Sequence, residues 1–254
     1  MPTFSANLGF LWQEHPLADA IRAAHTAGFD AVECHFPYNE PISDICKALE
    51  STAVSMLGLN TIRGSLNAGL AALPDKIHEA RQAIEQAFTY GSQMGAQNVH
   101  VMAGKITGSA AETTYLENLR YASDIASRHE MSVLIEPLNP FDMPGYFLRD
   151  TIHACELLET LNCSNVKLMF DCYHVGRTEG DVLERFNACY SYIGHIQFAS
   201  VPDRGPPDTG ELDYDPIFAA IDRSGWKQPL GAEYIVKGST EDTLSWMHGF
   251  NHTE

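Results

Sequence analysis

Short apolar runs recur along this chain, separated by longer stretches in which apolar residues return every three or four positions. The short runs read as buried parallel strands, and the longer stretches as amphipathic helices that cover them. Strands are predicted at Phe4–Leu8, Asp30–Phe36, Val54–Leu59, Asn98–Met102, Met131–Glu136, Val166–Asp171, Ile193–Phe198 and Leu230–Tyr234. Helices are predicted between them at Pro16–Ala27, Pro41–Ser51, Pro74–Met94, about Ala110–His129, Thr151–Leu161, Asp181–Tyr190 and Pro216–Ser224, with a last one from about Glu241. Several helix-to-strand joints share a form, AHTAGFDAVE, GSQMGAQNVHV and DRSGWKQPLGAE, with Gly where a left-handed cap closes the helix. Eight strand–helix units with no linker between them predict an α/β fold, a single (β/α)8 TIM barrel, as one domain over residues 1–254. An open doubly wound sheet is the rival, but no glycine fingerprint follows the first strand.

Four of these runs end on an oxygen donor: MSVLIE on Glu136, VKLMFD on Asp171, IGHIQ on Gln197 and LGAE on Glu233. A carboxylate that closes an apolar run is costly unless it is paired, protonated or metal-bound. In a barrel the C-terminal strand ends converge on one face, and that face carries the chemistry. Glu136, Asp171, Gln197 and Glu233 would therefore be neighbours, and such a donor set suits a hard divalent cation, Mg²⁺ or Mn²⁺. A single Glu at a strand end is ordinarily just solvated. Two of them, Glu136 and Glu233, three strands apart, favour acid–base work. Gln197 is the weakest donor of the four and would otherwise hydrogen-bond a neighbouring carboxylate.

Other candidates surround this set. His174 is expected on the loop above Asp171. Arg204, in a Gly/Pro-rich loop after the seventh strand, is expected to close over the site and hold a carboxylate. Arg63 and Lys105, after the third and fourth strands, are further candidates of the same kind. Trp12, His35 and Phe36 either wall the pocket or pack beneath it. His195 is read as facing away from Gln197, in packing.

Composition narrows the partners. A formal charge of -17 from 33 acidic and 16 basic residues repels phosphate backbones, so no nucleic-acid partner is expected. Mean hydropathy is -0.17 and no apolar run reaches membrane-spanning length, so no membrane association is expected. The N-terminal MPTFSANLGFLWQEH lacks the basic and apolar regions of a secretory signal, which points to the cytoplasm. The six cysteines form no CxxC pair and read as reduced thiols. None of these residues specifies the oligomeric state, monomer or homo-oligomer.

Taken together, LIEPLNPFDMPGYFL, FDCYH, HIQFA, the Arg204 loop with its Thr-Gly-Glu, and GAEY resemble the hydroxypyruvate isomerase family of xylose-isomerase-like barrels. GFDAVECHFPYNEP and HVMAG fit the same pattern, so the resemblance covers nearly the whole chain. It implies interconversion of hydroxypyruvate and tartronate semialdehyde through an enediolate, with Glu136 and Glu233 as the acid–base pair. It also implies a cation at Asp171 and Gln197 together with the two glutamates, and a small hydroxy-keto acid held by His174 and Arg204. The loops at Gly205–Pro207 and Arg63–Leu73 depart from the family pattern, and both should touch the substrate. The alternatives are an isomerase or C3-epimerase of a four- to six-carbon keto acid or ketose, and a non-catalytic sugar-acid-binding barrel. A multi-zinc DNA-repair nuclease of the same superfold is disfavoured by the charge and by the few histidines at strand ends.

Overall fold

The computed structural model describes residues 2–65 and 67–247. Its strands are β1 (Phe4–Asn7), β2 (Ala31–Glu33), β3 (Ser55–Met56), β4 (Gly58–Asn60), β5 (Asn98–His100), β6 (Ser132–Ile135), β7 (Val166–Asp171), β8 (Ile193–Phe198) and β9 (Leu230–Ala232). All pairings are parallel, in the order β3-β2-β1-β9-β8-β7-β6-β5-β4. The predicted third strand is split into β3 and β4. Leu57 between them donates to Val32 O and accepts from Asn98 N, so one extended segment pairs with β2 on one side and β5 on the other. That shared segment closes the sheet into the barrel.

The helices are α1 (Leu17–Thr26), α2 (Ile42–Thr52), α3 (Ile77–Gln93), α4 (Ser109–Arg128), α5 (Thr151–Leu161), α6 (Cys172–Thr178), α7 (Val182–Cys189) and α8 (Tyr214–Arg223). Each turns an apolar stripe onto the barrel, as Ala83, Ile84, Ala87 and Phe88 do on α3. Around β1, β8 and α8 the aromatic rings of Phe4, Phe198, Phe218 and Trp246 interlock edge to face or tilted, with centroids 5.0–5.8 Å apart.

The sequence reading differs from the structure at two helices. The segment after Asp171, read as a loop, is α6. Asp171 itself caps that helix by accepting from Tyr173 N at 2.9 Å, so the chain turns from strand to helix without an intervening loop. The predicted helix from about Glu241 begins as a short 3-10 turn over Glu241–Thr243, and residues 248–254 lie outside the described residues.

Candidate active site

The strand ends do gather. Glu136 follows β6, Asp171 ends β7, Gln197 lies within β8 and Glu233 follows β9, and all four are buried. With Glu33 at the end of β2, four carboxylates share one end of the barrel, where the cation in direct contact is Arg204. Arg204 Nη2 lies 3.0 Å from Glu233 Oε2 and 3.5 Å from Asp171 Oδ2. Its guanidinium also sits over the rings of Phe10 and Tyr173, at 4.6 and 4.9 Å from their centroids. The loop that presents it is tied down rather than free. Arg204 N donates to Ser200 O, Gly205 N to Ser200 Oγ, and Ile235 N to Arg204 O. Arg204 adopts a left-handed φ of 53°, a conformation that costs energy for a side-chain-bearing residue and persists where surrounding bonds impose it.

Electrostatics separates the two glutamates. Burial pushes the Glu136 carboxyl well above its ordinary value, and the nearby Glu233 and Asp171 charges push the same way. Among the described residues its oxygens face two imidazoles, His100 Nδ1 at 3.5 Å and His174 Nε2 at 3.7 Å. Burial also opposes ionisation of Glu233. There the Arg204 guanidinium and the bond to His35 Nε2, at 3.0 Å, outweigh it and bring the group down to about 2. Asp171 is raised to about 7 by burial and by Glu233, against the pull of Arg204. The two carboxyls are thus pushed apart, Glu136 toward the protonated form and Glu233 toward the ionised one, the kind of asymmetry that suits an acid and a base.

The tautomer of His174 is set by its neighbour. Asn139 N, which can only donate, lies 3.1 Å from His174 Nδ1, and Asn139 Nδ2 lies 2.8 Å from it. The orientation of that amide is fixed because Asn139 Oδ1 accepts from Phe141 N and Asp142 N. Nδ1 is thus an acceptor, and a neutral His174 carries its proton on Nε2, aimed at Glu136 and Asp171. Burial, then Arg204, hold this imidazole well below its ordinary pKa, so it stays neutral.

Can the cluster take a cation? Glu136, Asp171 and His174 each offer an atom, all within 4.8 Å of one another. Glu136 Oε1 and Gln197 Oε1 are buried without a hydrogen-bond partner, which is costly for a closed polar site and natural for a ligand site. Four carboxylates facing one paired guanidinium leave negative charge to neutralise. The residues fit a hard divalent cation, with His174 the poorest member because its Nε2 carries the proton. Glu233 has both oxygens engaged, one by His35 and the other by Arg204.

The secondary candidates are distributed unevenly. Arg63 stacks on Phe36 at 4.6 Å, its Nε has no partner, and it lies within electrostatic reach of Glu233. With Phe10, His15, His35, Phe36 and Glu40 it walls an opening of about 540 Å³ that shares His35 with the cavity of about 20 Å³ lined by Glu33, Glu136, Gln197 and Glu233. Lys105 is paired through its backbone with Tyr146 and makes no ion pair with the cluster among the described residues. Trp12 is packing: it is buried against Phe29 and donates through Nε1 to Glu241. His195 requires a correction. Residues two apart on a strand share a face, so His195 points inward with Gln197, and both reach Glu33 Oε2, at 2.9 and 3.3 Å. The bond from Gln197 Nε2 to Glu33 turns Gln197 Oε1 the other way, which leaves that oxygen without a partner. Gly231 makes room for this group, since a Cβ there would overlap Glu33 Oε1.

Sequence reasoning missed Glu33, His35 as a partner of Glu233, and His100. Glu33 was findable, because DAVE closes an apolar run on a carboxylate just as LIE does. His100 sits inside an apolar strand, and nothing local distinguishes it from packing.

Residues 21–250 match the model of the xylose-isomerase-like TIM barrel family, and the chain belongs to that family. The 2-oxo-tetronate isomerase of Cupriavidus necator is 38% identical over 254 residues, covering 97% of this chain and 98% of the relative. The hydroxypyruvate isomerase of Escherichia coli K12 is 35% identical, with 97% and 98% covered. The crystal structure titled AP endonuclease, family 2, from Brucella melitensis matches with a TM-score of 0.94 at 34% identity, over 99% of this chain and 100% of its own. Within the family this chain is an isomerase. Among the described residues no helix is long and apolar enough to cross a membrane.

Proposed function

We propose that this isomerase moves a carbonyl between C2 and C3 of a short 2-oxo acid that carries a hydroxyl on C3, hydroxypyruvate going to tartronate semialdehyde. The observation that carries the reading is that Glu136 and Glu233 line one cavity in opposite settings, Glu136 facing the imidazoles of His100 and His174 and Glu233 facing Arg204 and His35. Glu233 takes the proton from C3, an enediolate forms, and Glu136 returns a proton to C2. The neutral His174, with Nε2–H directed inward, donates to the developing oxyanion. Engagement of Arg204 by the substrate's anionic groups weakens its hold on Glu233, which raises the basicity of that carboxylate when it is needed. Arg63, stacked and without a carboxylate partner, binds the substrate carboxylate at the mouth. A divalent cation, Mg²⁺ or Mn²⁺, held by the carboxylates of Asp171 and Glu233 and by Gln197 Oε1, with Glu136 left as the acid, would supply charge neutralisation for the enediolate.

A second reading has its own support. The four-carbon 2-oxo-tetronate differs from hydroxypyruvate by a hydroxymethyl group on C3, and the same proton transfer between C2 and C3 serves both acids. A relative of that name is 38% identical.

The test is proton exchange followed by NMR in D₂O, with each acid in turn, with and without EDTA and added Mg²⁺ or Mn²⁺. Deuterium exchanged into C3 of the starting acid and delivered to C2 of the aldehyde or 3-oxo product identifies the substrate, and the EDTA arm reads the cation requirement. No exchange with either acid rejects the proposal. Arg63→Met is expected to raise KM about tenfold or more with a smaller change in kcat, the mark of lost carboxylate binding. An unchanged KM removes Arg63 from that role.

A further inference from the structure

Away from the site, two cysteines on neighbouring helices face each other. Cys155 on α5 and Cys189 at the end of α7 have their sulfurs 3.6 Å apart. That is a contact distance, short of a bond by only about 1.5 Å against the usual S–S length. Arg185, one turn before Cys189, places Nη2 3.6 Å from the Cys189 sulfur. Cys189 is buried, while Cys155 is partly exposed and so reachable by a small molecule. The hydrogen bond from the Cys155 thiol, aided by Arg185, lowers Cys189 to about 6, whereas the same bond raises Cys155. Two sulfurs thus share one proton beside a fixed guanidinium, which is the environment of a reactive thiol pair rather than of two inert core cysteines.

We propose that Cys155 and Cys189 form a redox-active dithiol, which a low-molecular-weight disulfide of the glutathione class converts to an intramolecular disulfide tying α5 to α7. As the accessible Cys155 sulfur attacks the external disulfide, its proton crosses the 3.6 Å contact to the Cys189 thiolate, which serves as the base. A mixed disulfide forms at Cys155 and one small thiolate leaves. The Cys189 proton passes to that thiolate, and the freed Cys189 sulfur displaces the second small thiolate, which takes a proton from water. Two electrons pass from the protein to the small disulfide, and two small thiols are released. The site adjoins a junction of three helices. Arg185 also holds Glu179 at 3.1 Å and Thr151 at 2.9 and 2.7 Å, and Glu179 caps the start of α5 while closing α6, the helix that carries His174.

The experiment treats the whole protein with glutathione disulfide and glutathione at graded ratios, then reads intact mass and digested peptides. The expected result is loss of two hydrogens per chain and a peptide linked through Cys155 and Cys189. Cys189→Ser is expected to stop at a mixed disulfide on Cys155, and Cys155→Ser to leave the buried Cys189 unmodified. Both variants should keep the isomerase activity of the reduced protein. Absence of the linked peptide at every ratio overturns the proposal. So does equal mixed-disulfide yield on Cys155 and Cys189 in the two serine variants, which marks independent thiols.

Discussion

Glu136→Gln is expected to lower kcat by about 10²- to 10⁴-fold while raising stability above neutral pH. The loss follows from removing the group that returns the proton. The gain follows from the same environment that makes Glu136 an acid. Its folded-state pKa is raised above the unfolded value of 4.5 by burial and by the Glu233 and Asp171 charges. The folded chain therefore binds a proton that the unfolded chain releases, and this contribution is complete below the unfolded value. It is lost as pH rises toward the folded-state value. Gln cannot ionise and keeps the neutral form at every pH. Thermal melts at pH 4 and pH 8 should show the variant close to wild type at the lower pH and exceeding it at the higher. A melting difference that is equal at both values, or a wild-type kcat, would remove Glu136 from the acid role. Asp171, raised to about 7, adds to the same loss of wild-type stability as pH rises from its unfolded value toward 7.

Arg204→Met should destabilise the fold by about 3–5 kcal/mol, because it leaves buried carboxylates without their counter-charge. Arg204 lies 3.0 Å from Glu233 and 3.5 Å from Asp171, and its side chain is 14% exposed. Without it the Glu233 carboxyl should climb from about 2, so activity should fall on the acid side at a pH where the wild type still works. A ligand that binds only the folded state stabilises it in proportion to its concentration over its dissociation constant. Mg²⁺ or Mn²⁺ should therefore restore part of the lost stability if the carboxylates hold a cation. Arg204→Lys should fall between the two, keeping the charge and losing the planar contact with Phe10 and Tyr173. Denaturant unfolding with and without each cation reads all of this. An Arg204→Met protein as stable as wild type would refute the pairing, and no response to either cation would refute the cation site.

How far the site was legible depended on range. Glu136, Asp171, Gln197 and Glu233 were visible because each closes or nearly closes its own apolar run, a pattern contained within a few residues. Glu33 carries the same signature and went unread only because its strand was drawn on through Phe36. His195 was misassigned although strand alternation, a local rule, already placed it beside Gln197. Helix α6 was missed although Asp171 is a ready N-cap for it.

The sequence by itself determined the barrel and the four strand-end donors. Hydrophobic period, helix caps and strand ends are local properties, and parallel closure brings the strand ends together whatever the loops do. Only the tertiary structure decided which glutamate meets Arg204 and His35, and which arginine is already paired. It also decided that His35 serves Glu233 across 198 residues of chain, and that Asn139 sets the proton on His174. These outcomes depend on distances of about 3 to 4 Å between residues on different strands, and on burial that strengthens every charge at that range.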